Sequence, residues 1–330
     1  MNKLSEHAFI RLLSQELRPL AEGVLIGRGD DCAVLAGKSD VDWLYTTDAM
    51  FEDVHFRRSF MDMATLARKA LAINLSDIAA MGGKARYYLL SVAAPEGLTD
   101  NDARAMAAGL RCLEEKYDVV CIGGNTTRSA SGLVLSITAI GQVPKGAALL
   151  RSQAKLGDAI YVSGELGSSA LGLQCLLQNI HTAEAKPFID VHCSPEPRLA
   201  LGEWLRKTDM VTSMIDVSDG LVADLGHIAD QSRVGFEISA DALPMAEGFH
   251  ETCNLLKRDP IVLAATGGED YELCFTVVGG KKSAFEKRCE GKDWKLSHIG
   301  TILADEKVRV LCDGTGNPIT YGQAGFDHFL

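Results

Sequence analysis

An α/β protein of two domains is what the sequence predicts, and three observations carry that expectation. The chain has 330 residues, more than a single domain usually holds. Hydrophobic residues make up 47% and charged residues 23%, enough apolar material for a sizeable core. Stretches of strand length and of helical periodicity are intermixed along the chain, without low-complexity sequence, a long linker or a short-period repeat.

The elements follow in order. Ser5 and Glu6 open an amphipathic helix carrying Phe9, Ile10, Leu12 and Leu13. A loop with Gly27 and Gly29 leads to "DDCAVL" and "DWLYTTDAM", two strands with polar ends. Residues 63–81 form a long helical pattern stopped by Gly82 and Gly83. "ARYYLLSVAAP" reads as a buried strand, and residues 99–117 as a helix with Thr99 at its N-cap. "DVVCIGGNTTR" reads as a strand running into a glycine turn, and "LVLSITAIGQV" as another strand. The second half begins near Arg151, dividing the chain into domains at 1–150 and 151–330. There "GDAIYVSGELGSSALGLQCLL" and "VTSMIDVSDGLVADLGHIA" each read as strand, glycine loop and helix, and "DPIVLAATGGEDYELCFTV" as helix, turn and strand.

Charge and cysteine usage narrow the function classes. A net charge of −11 argues against nonspecific binding to nucleic acid or anionic membranes, but bound cations would still admit anionic small substrates. The 9 cysteines are scattered without a CxxC pair, which fits reduced thiols in a cytoplasmic protein. The opening "MNKLSEHAFIRLL" lacks the apolar core of a signal peptide. Nor does the sequence hold a run of about eighteen apolar residues such as a membrane helix needs.

Chemistry is concentrated in carboxylates. Asp30 and Asp31 follow Gly29, Asp48 follows Thr46 and Thr47, and Asp216 and Asp219 flank Ser218 in "DVSDG". Asp77 sits in the apolar helix "LAINLSDIAAMGG", where an unpartnered carboxylate is costly. Singly, each has a bland reading as a cap or turn residue, and Asp219 would simply cap the helix starting at Leu221. Together, with few basic residues nearby in sequence, they favour oxygen-ligated Mg²⁺. "TGGEDYEL" is either a helix end with a polar turn or a pocket wall where backbone approaches a ligand closely. Phe326 and Phe329 in "GFDHFL" either pin the chain to the core or cover a flat ligand. His55 in "FEDVHF" is, alone, more often a structural histidine. No GxxxxGK[ST] phosphate loop is present, and "GELGSSALG" lacks GxGxxG spacing.

Read together, "GDDCAV", "TTDAMFEDVHF", "NLSDIAAMGG", "GGNTTR", "LLRSQAKLGD", "IDVSDGL", "GGEDYEL" and "GFDHF" occur in the order found in thiamine-monophosphate kinases, and the chain resembles that family over nearly its whole length. The resemblance implies a two-domain fold like that of aminoimidazole ribonucleotide synthetase. The N-terminal sheets of two subunits would pair in a barrel-like homodimer, and ATP and thiamine monophosphate would meet between the domains. It implies Mg²⁺ at Asp31, Thr46, Thr47, Asp48, Asp77, Asn125, Asp216 and Asp219, with the threonines using hydroxyl or backbone oxygen. ATP contacts fall on Gly123, Gly124, Arg151 and Ser218, and thiamine monophosphate on His55, Glu269 and Phe326. No dedicated catalytic base is implied. One departure stands out: the family reads GGDT where this chain reads GGNT, so Asn125 offers a neutral oxygen in place of a carboxylate. A catalytically silent nucleotide-binding module is the alternative from another class, and widespread loss of the acidic positions would favour it.

Overall fold

The computed structural model describes residues 21–38 and 40–326, so the helix expected from Ser5 and the position of Phe329 lie outside the described residues. Two six-stranded sheets, each with its own helices, follow one another along the chain. The first takes strands β1 (Val24–Ile26), β2 (Ala33–Ala36), β3 (Val41–Phe51), β4 (Lys84–Ala94), β5 (Val120–Arg128) and β6 (Val134–Pro144) in the order β1-β2-β3-β6-β4-β5. Helices α1 (Met63–Ala80) and α2 (Asp100–Tyr117) belong with it. The second sheet takes β7 (Ala159–Ser163), β8 (Val211–Asp216), β9 (Gly235–Ser239), β10 (Leu273–Val277), β11 (Leu296–Leu303) and β12 (Arg309–Cys312) in the order β12-β9-β11-β7-β10-β8. Its helices are α3 (Ser168–Leu177), α4 (Lys186–Cys193), α5 (Leu199–Lys207), α6 (Leu221–Ser232), α7 (Phe249–Leu255), α8 (Pro260–Thr266) and α9 (Lys282–Cys289).

The first sheet has one covered face. Along β6, Leu135, Ile137, Ala139, Gly141 and Val143 are buried while the residues between them are partly exposed, the period-two pattern of a half-buried strand. β4 follows a looser version of this pattern, not the fully buried one its apolar sequence suggested. The covering element is α1. It runs from an N-cap at Asp62, whose carboxylate accepts from the Thr65 N–H at 2.8 Å, to Gly82, whose φ of +66° ends it. Apolar almost all round, α1 is buried on nearly every side, as such a helix must be. β3, β6 and α2 flank it on one side; α5 and β8 of the second unit flank it on the other. Gly202 on α5 makes that second contact possible, since a Cβ there would lie 2.1 Å from the Ala79 carbonyl oxygen. α1 is therefore shared between both halves of the molecule, and its polar residues are delivered to the boundary.

Two sequence expectations need revision. Gly123 and Gly124 do not form a turn: both lie inside β5, in nearly extended backbone (φ +154° and +158°) beside an irregularity in the β4–β5 pairing. Close approach explains the second glycine, because a Cβ on Gly124 would lie 1.8 Å from the Leu90 carbonyl oxygen. The helix after β8 is not capped by Asp219: its N-cap is Gly220, and no side chain caps it there. Helix α2, by contrast, begins at Thr99 with the reciprocal Thr99–Asp102 capping box. All the cysteines among the described residues are free thiols, and no described helix is long and apolar enough to cross a membrane.

Candidate active site

A cavity of about 670 Å³ opens between the two halves, lined by residues from both. Part of its wall is acidic. The side chains of Thr46 and Asp48 leave β3 on the same face, and the Thr46 hydroxyl donates to Asp77 on α1. One residue earlier on α1, the Ser76 hydroxyl donates to Asp216 at 2.5 Å, at the end of β8. Asn74, a further half-turn back, accepts the Asp48 N–H at 3.0 Å. Asp31 enters from the loop before β2. Carboxylate oxygens of Asp31, Asp77 and Asp216 all lie within 4.8 Å of one another.

The electrostatics of this cluster are unfavourable as it stands. Burial, then Asp219 and Asp31, push the Asp48 carboxyl up to about 6. Burial and Asp31 push Asp216 up to about 8, against the pull of the Ser76 hydroxyl. Burial followed by Asp48, Asp216 and Asp31 pushes Asp77 well above the ordinary carboxylate range. Arg151 pairs with Asp31 but leaves the other Asp31 oxygen, Oδ2, buried without a hydrogen-bond partner. Carboxylate and hydroxyl oxygens around an unsatisfied buried oxygen fit a hard divalent cation such as Mg²⁺.

The loop 217–220 closes one wall. Asp224, one turn into α6, turns Oδ2 back to accept the N–H groups of Ser218, Asp219 and Gly220 at 3.0, 3.1 and 3.0 Å. The segment 268–271 lies against the same loop. Glu269 N–H donates to the Ser218 carbonyl at 2.7 Å and Tyr271 N–H to the Val217 carbonyl at 2.8 Å. Gly268 permits this, since a Cβ would stand 2.5 Å from the Ser218 carbonyl oxygen. The Phe326 N–H completes the wall, 3.2 Å from the Asp219 carbonyl.

The rest of the cavity wall is mixed apolar and charged. His55, Phe56, Phe60, Leu173, Tyr271 and Phe326 line it. The Nδ1 of His55 accepts the Phe51 N–H at 3.0 Å, so this ring is both a structural hydrogen-bond partner and a cavity wall. Phe326 is 59% exposed on the cavity wall. Glu269 pairs with Lys69 of α1 at 3.2 Å and stands 3.3 Å from Nδ1 of His192. Burial and the Lys69 charge push the His192 ring down to about 4. Burial opposes it, yet the charge and hydrogen bond of Lys69 pull Glu269 below its usual range.

Most residues singled out in the sequence line this one cavity: Asp31, Thr46, Thr47, Asp48, His55, Asp77, Arg151, Asp216, Ser218, Asp219, Glu269 and Phe326. Gly123, Gly124 and Asn125 do not. They sit on β5, at the sheet edge three strands from β3 and outside the cavity lining of this chain. Sequence reasoning passed over Lys69, Asp224 and His192. Lys69 carried a readable signal, because it lies eight residues before Asp77 and hence on the same helical face. Asp224, four residues beyond Gly220 in the first turn of a helix, carried a weaker one.

Comparison with known proteins now identifies the class. The AIR synthase related protein family matches both halves, its N-terminal domain over residues 29–143 and its C-terminal domain over residues 155–313. The thiamine-monophosphate kinase of Bacillus subtilis is 36% identical over 308 residues, 92% of this chain and 93% of the relative. That of Escherichia coli K12 is 37% identical over 328 residues, 98% of each chain. The solved structure described as "AaThiL complexed with AMPPCP and TMP" superposes with a TM-score of 0.85 at 30% identity, covering 99% of this chain and 97% of that one. The chain belongs to the thiamine-monophosphate kinase family.

Proposed function

We propose that this protein transfers the γ-phosphoryl group of ATP directly to thiamine monophosphate, giving thiamine diphosphate and ADP. The observation that carries the reading is one cavity with two kinds of lining. Asp31, Asp77 and Asp216 converge in it, and aromatic residues with Glu269 line it as well. The "AaThiL complexed with AMPPCP and TMP" neighbour supports it, since a nucleotide analogue and TMP are bound together in that protein.

The chemistry asks little of a base. A phosphate monoester acceptor is already ionised at neutral pH, and the difficulty is to hold two anions in line. Asp31, Asp48, Asp77 and Asp216 would hold Mg²⁺, with Asp219, Thr46 and Thr47 as further oxygen donors. Bound there, Mg²⁺ would neutralise phosphate oxygens of both reactants. Arg151 adds a permanent charge beside Asp31, suited to nucleotide phosphate. Ser218 and the loop pinned by Asp224 would receive the nucleotide, while His55, Glu269 and Phe326 would receive the thiamine end.

The functional unit in this reading is a cytoplasmic homodimer built through residues 1–150, with residues 151–330 completing the sites. β5 supports it, being exposed along its whole length with Ile122 53% exposed. So long an unpaired edge normally meets a partner. Pairing there would also give Gly123, Gly124 and Asn125 a ligand-binding role that they lack within one chain.

The test is turnover with ATP and Mg²⁺ on a panel of acceptors: thiamine monophosphate, free thiamine and aminoimidazole precursors. Thiamine diphosphate formed from the monophosphate, with free thiamine inert, is the expected result. Turnover of thiamine but not of its monophosphate would overturn the assignment.

A further inference from the structure

Lys69 is the most deeply buried cation among the described residues, with 0% of its side chain exposed. It lies in the middle of α1, between the two halves of the molecule. Its ammonium group has one hydrogen-bond partner among the described residues, Oε2 of Glu269, at 3.2 Å. A buried ammonium with a single partner is expensive to keep, and removing either member leaves an uncompensated charge. The partner is itself held in an unusual conformation. Glu269 has φ +65° and Tyr271 φ +51°, left-handed values that non-glycine residues adopt only when the surroundings enforce them. The two backbone bonds to the 217–218 loop fix the main chain, and Lys69 fixes the side chain.

The same carboxylate oxygen faces His192. Nδ1 of His192 stands 3.3 Å from Oε2 of Glu269 and 3.1 Å from the hydroxyl of Ser169. Burial and the Lys69 charge keep this ring neutral at physiological pH, so it supplies polarity without charge. The named contacts all converge on Oε2. Glu269 nonetheless lines the cavity and keeps 28% of its side chain exposed. Its negative charge is thus matched by Lys69 before any ligand arrives.

We propose that Lys69 is a positioning residue that neutralises and orients Glu269, so that the carboxylate reads a neutral N–H donor on the substrate's heteroaromatic end rather than its cationic ring. This deepens the function proposed above and rests on it. A cation would meet a lysine–glutamate pair of zero net charge, with Lys69 repelling it. A ring amino group would meet an oriented acceptor in a cavity that the apolar Phe56, Phe60 and Leu173 also line. In thiamine monophosphate the donor of that kind is the amino group of the pyrimidine.

The experiment measures kcat and KM for thiamine monophosphate and for ATP in the parent, Lys69→Met, Lys69→Arg and the double variant Lys69→Met/Glu269→Gln. Each is also assayed with the analogue whose pyrimidine amino group is replaced by hydrogen. The parent should show a KM for the analogue higher by on the order of 10-fold or more, because a site built around a hydrogen-bond acceptor rejects a ligand without the donor. Lys69→Met should raise the KM for thiamine monophosphate by about tenfold, the size of one buried polar mismatch, with kcat and the ATP KM within about twofold. Lys69→Arg should recover part of the loss. The double variant removes both charges and keeps an acceptor oxygen, so it should recover at least half of it on a logarithmic scale. It also guards against misfolding, since it leaves no buried unpaired charge. Three results would overturn the proposal: an unchanged KM in a folded Lys69→Met, losses that fall on kcat alone, or a double variant no better than Lys69→Met. A parent that never turns over thiamine monophosphate would instead reject the function on which the proposal rests.

Discussion

Replacing Asp77 by Asn should make the metal-free protein more stable and the Mg²⁺-loaded protein less so. The substitution keeps an oxygen to accept the Thr46 hydroxyl and removes one charge from a cluster whose carboxylate oxygens lie within 4.8 Å of each other. At that separation and an effective dielectric of about 20, two ionised carboxylates repel by roughly 3–4 kcal/mol. Partial protonation relieves some of this, because Asp48 is pushed up to about 6 and Asp216 up to about 8. A net gain of about 1–3 kcal/mol at pH 8.5 remains, a shift of a few degrees in Tm for a chain of this size. The sign with pH follows from linkage. Folded-state values raised above the unfolded value favour the protonated form, so this contribution to stability is complete at low pH and is lost as pH rises through about 6 to 8. In EDTA the parent should therefore weaken between pH 5 and pH 8.5, while Asp77→Asn weakens less and shows little advantage at pH 5. Saturating Mg²⁺ should reverse the order at pH 8.5, since a ligand at 100 times its Kd stabilises by about 2.7 kcal/mol and the variant has lost a ligand. Turnover should fall by on the order of 10²-fold or more. The assay is thermal unfolding at both pH values with EDTA or with Mg²⁺. An Asp77→Asn protein less stable than the parent in EDTA at pH 8.5, with an equal gain from Mg²⁺, would refute the reasoning.

Asp224→Ala strips the acceptor from three consecutive N–H groups and should cost about 2–4 kcal/mol in urea unfolding, while raising the Mg²⁺ concentration needed for half-maximal rate. Unchanged values for both would leave Asp224 without a role in shaping the loop. Ile122→Glu, which places a charge on the exposed β5, should shift sedimentation toward monomer and reduce activity, since β5 carries Gly123, Gly124 and Asn125. A fully active dimer would exclude that edge as the interface. Asn125→Asp should lower the Mg²⁺ requirement if position 125 meets a cation; a higher KM for ATP at an unchanged Mg²⁺ requirement would mean that Asn125 instead donates to a phosphate.

How much of this was legible in sequence depends on the range of the signal. α1 was readable because the apolar run, the glycine stop and the short polar residues are all local. Asp31, Asp48, Asp77 and Asp216 were readable as candidates because each breaks an expected pattern, at an element end or inside an apolar helix. That they meet is a property of the tertiary fold, with Asp77 and Asp216 brought together through Ser76 on a helix shared by both halves. Gly123 and Gly124 misled because paired glycines announce a turn and a close backbone approach with the same letters; only the pairing of β4 with β5 distinguishes them. The role of Lys69 was unreadable for a different reason. A lysine in a helix usually carries its ammonium out to water, and nothing within a few residues reveals that its partner is Glu269, two hundred positions later.

The central claim is direct transfer between two ligands held in one cavity, and the most direct measurement follows isotope from ATP labelled in its γ-phosphate. With thiamine monophosphate and Mg²⁺ present, all label lost from ATP should appear in the terminal phosphate of thiamine diphosphate, with one ADP formed per product and none on the protein. Label released as inorganic phosphate without thiamine diphosphate, or retained on the protein, would contradict the account.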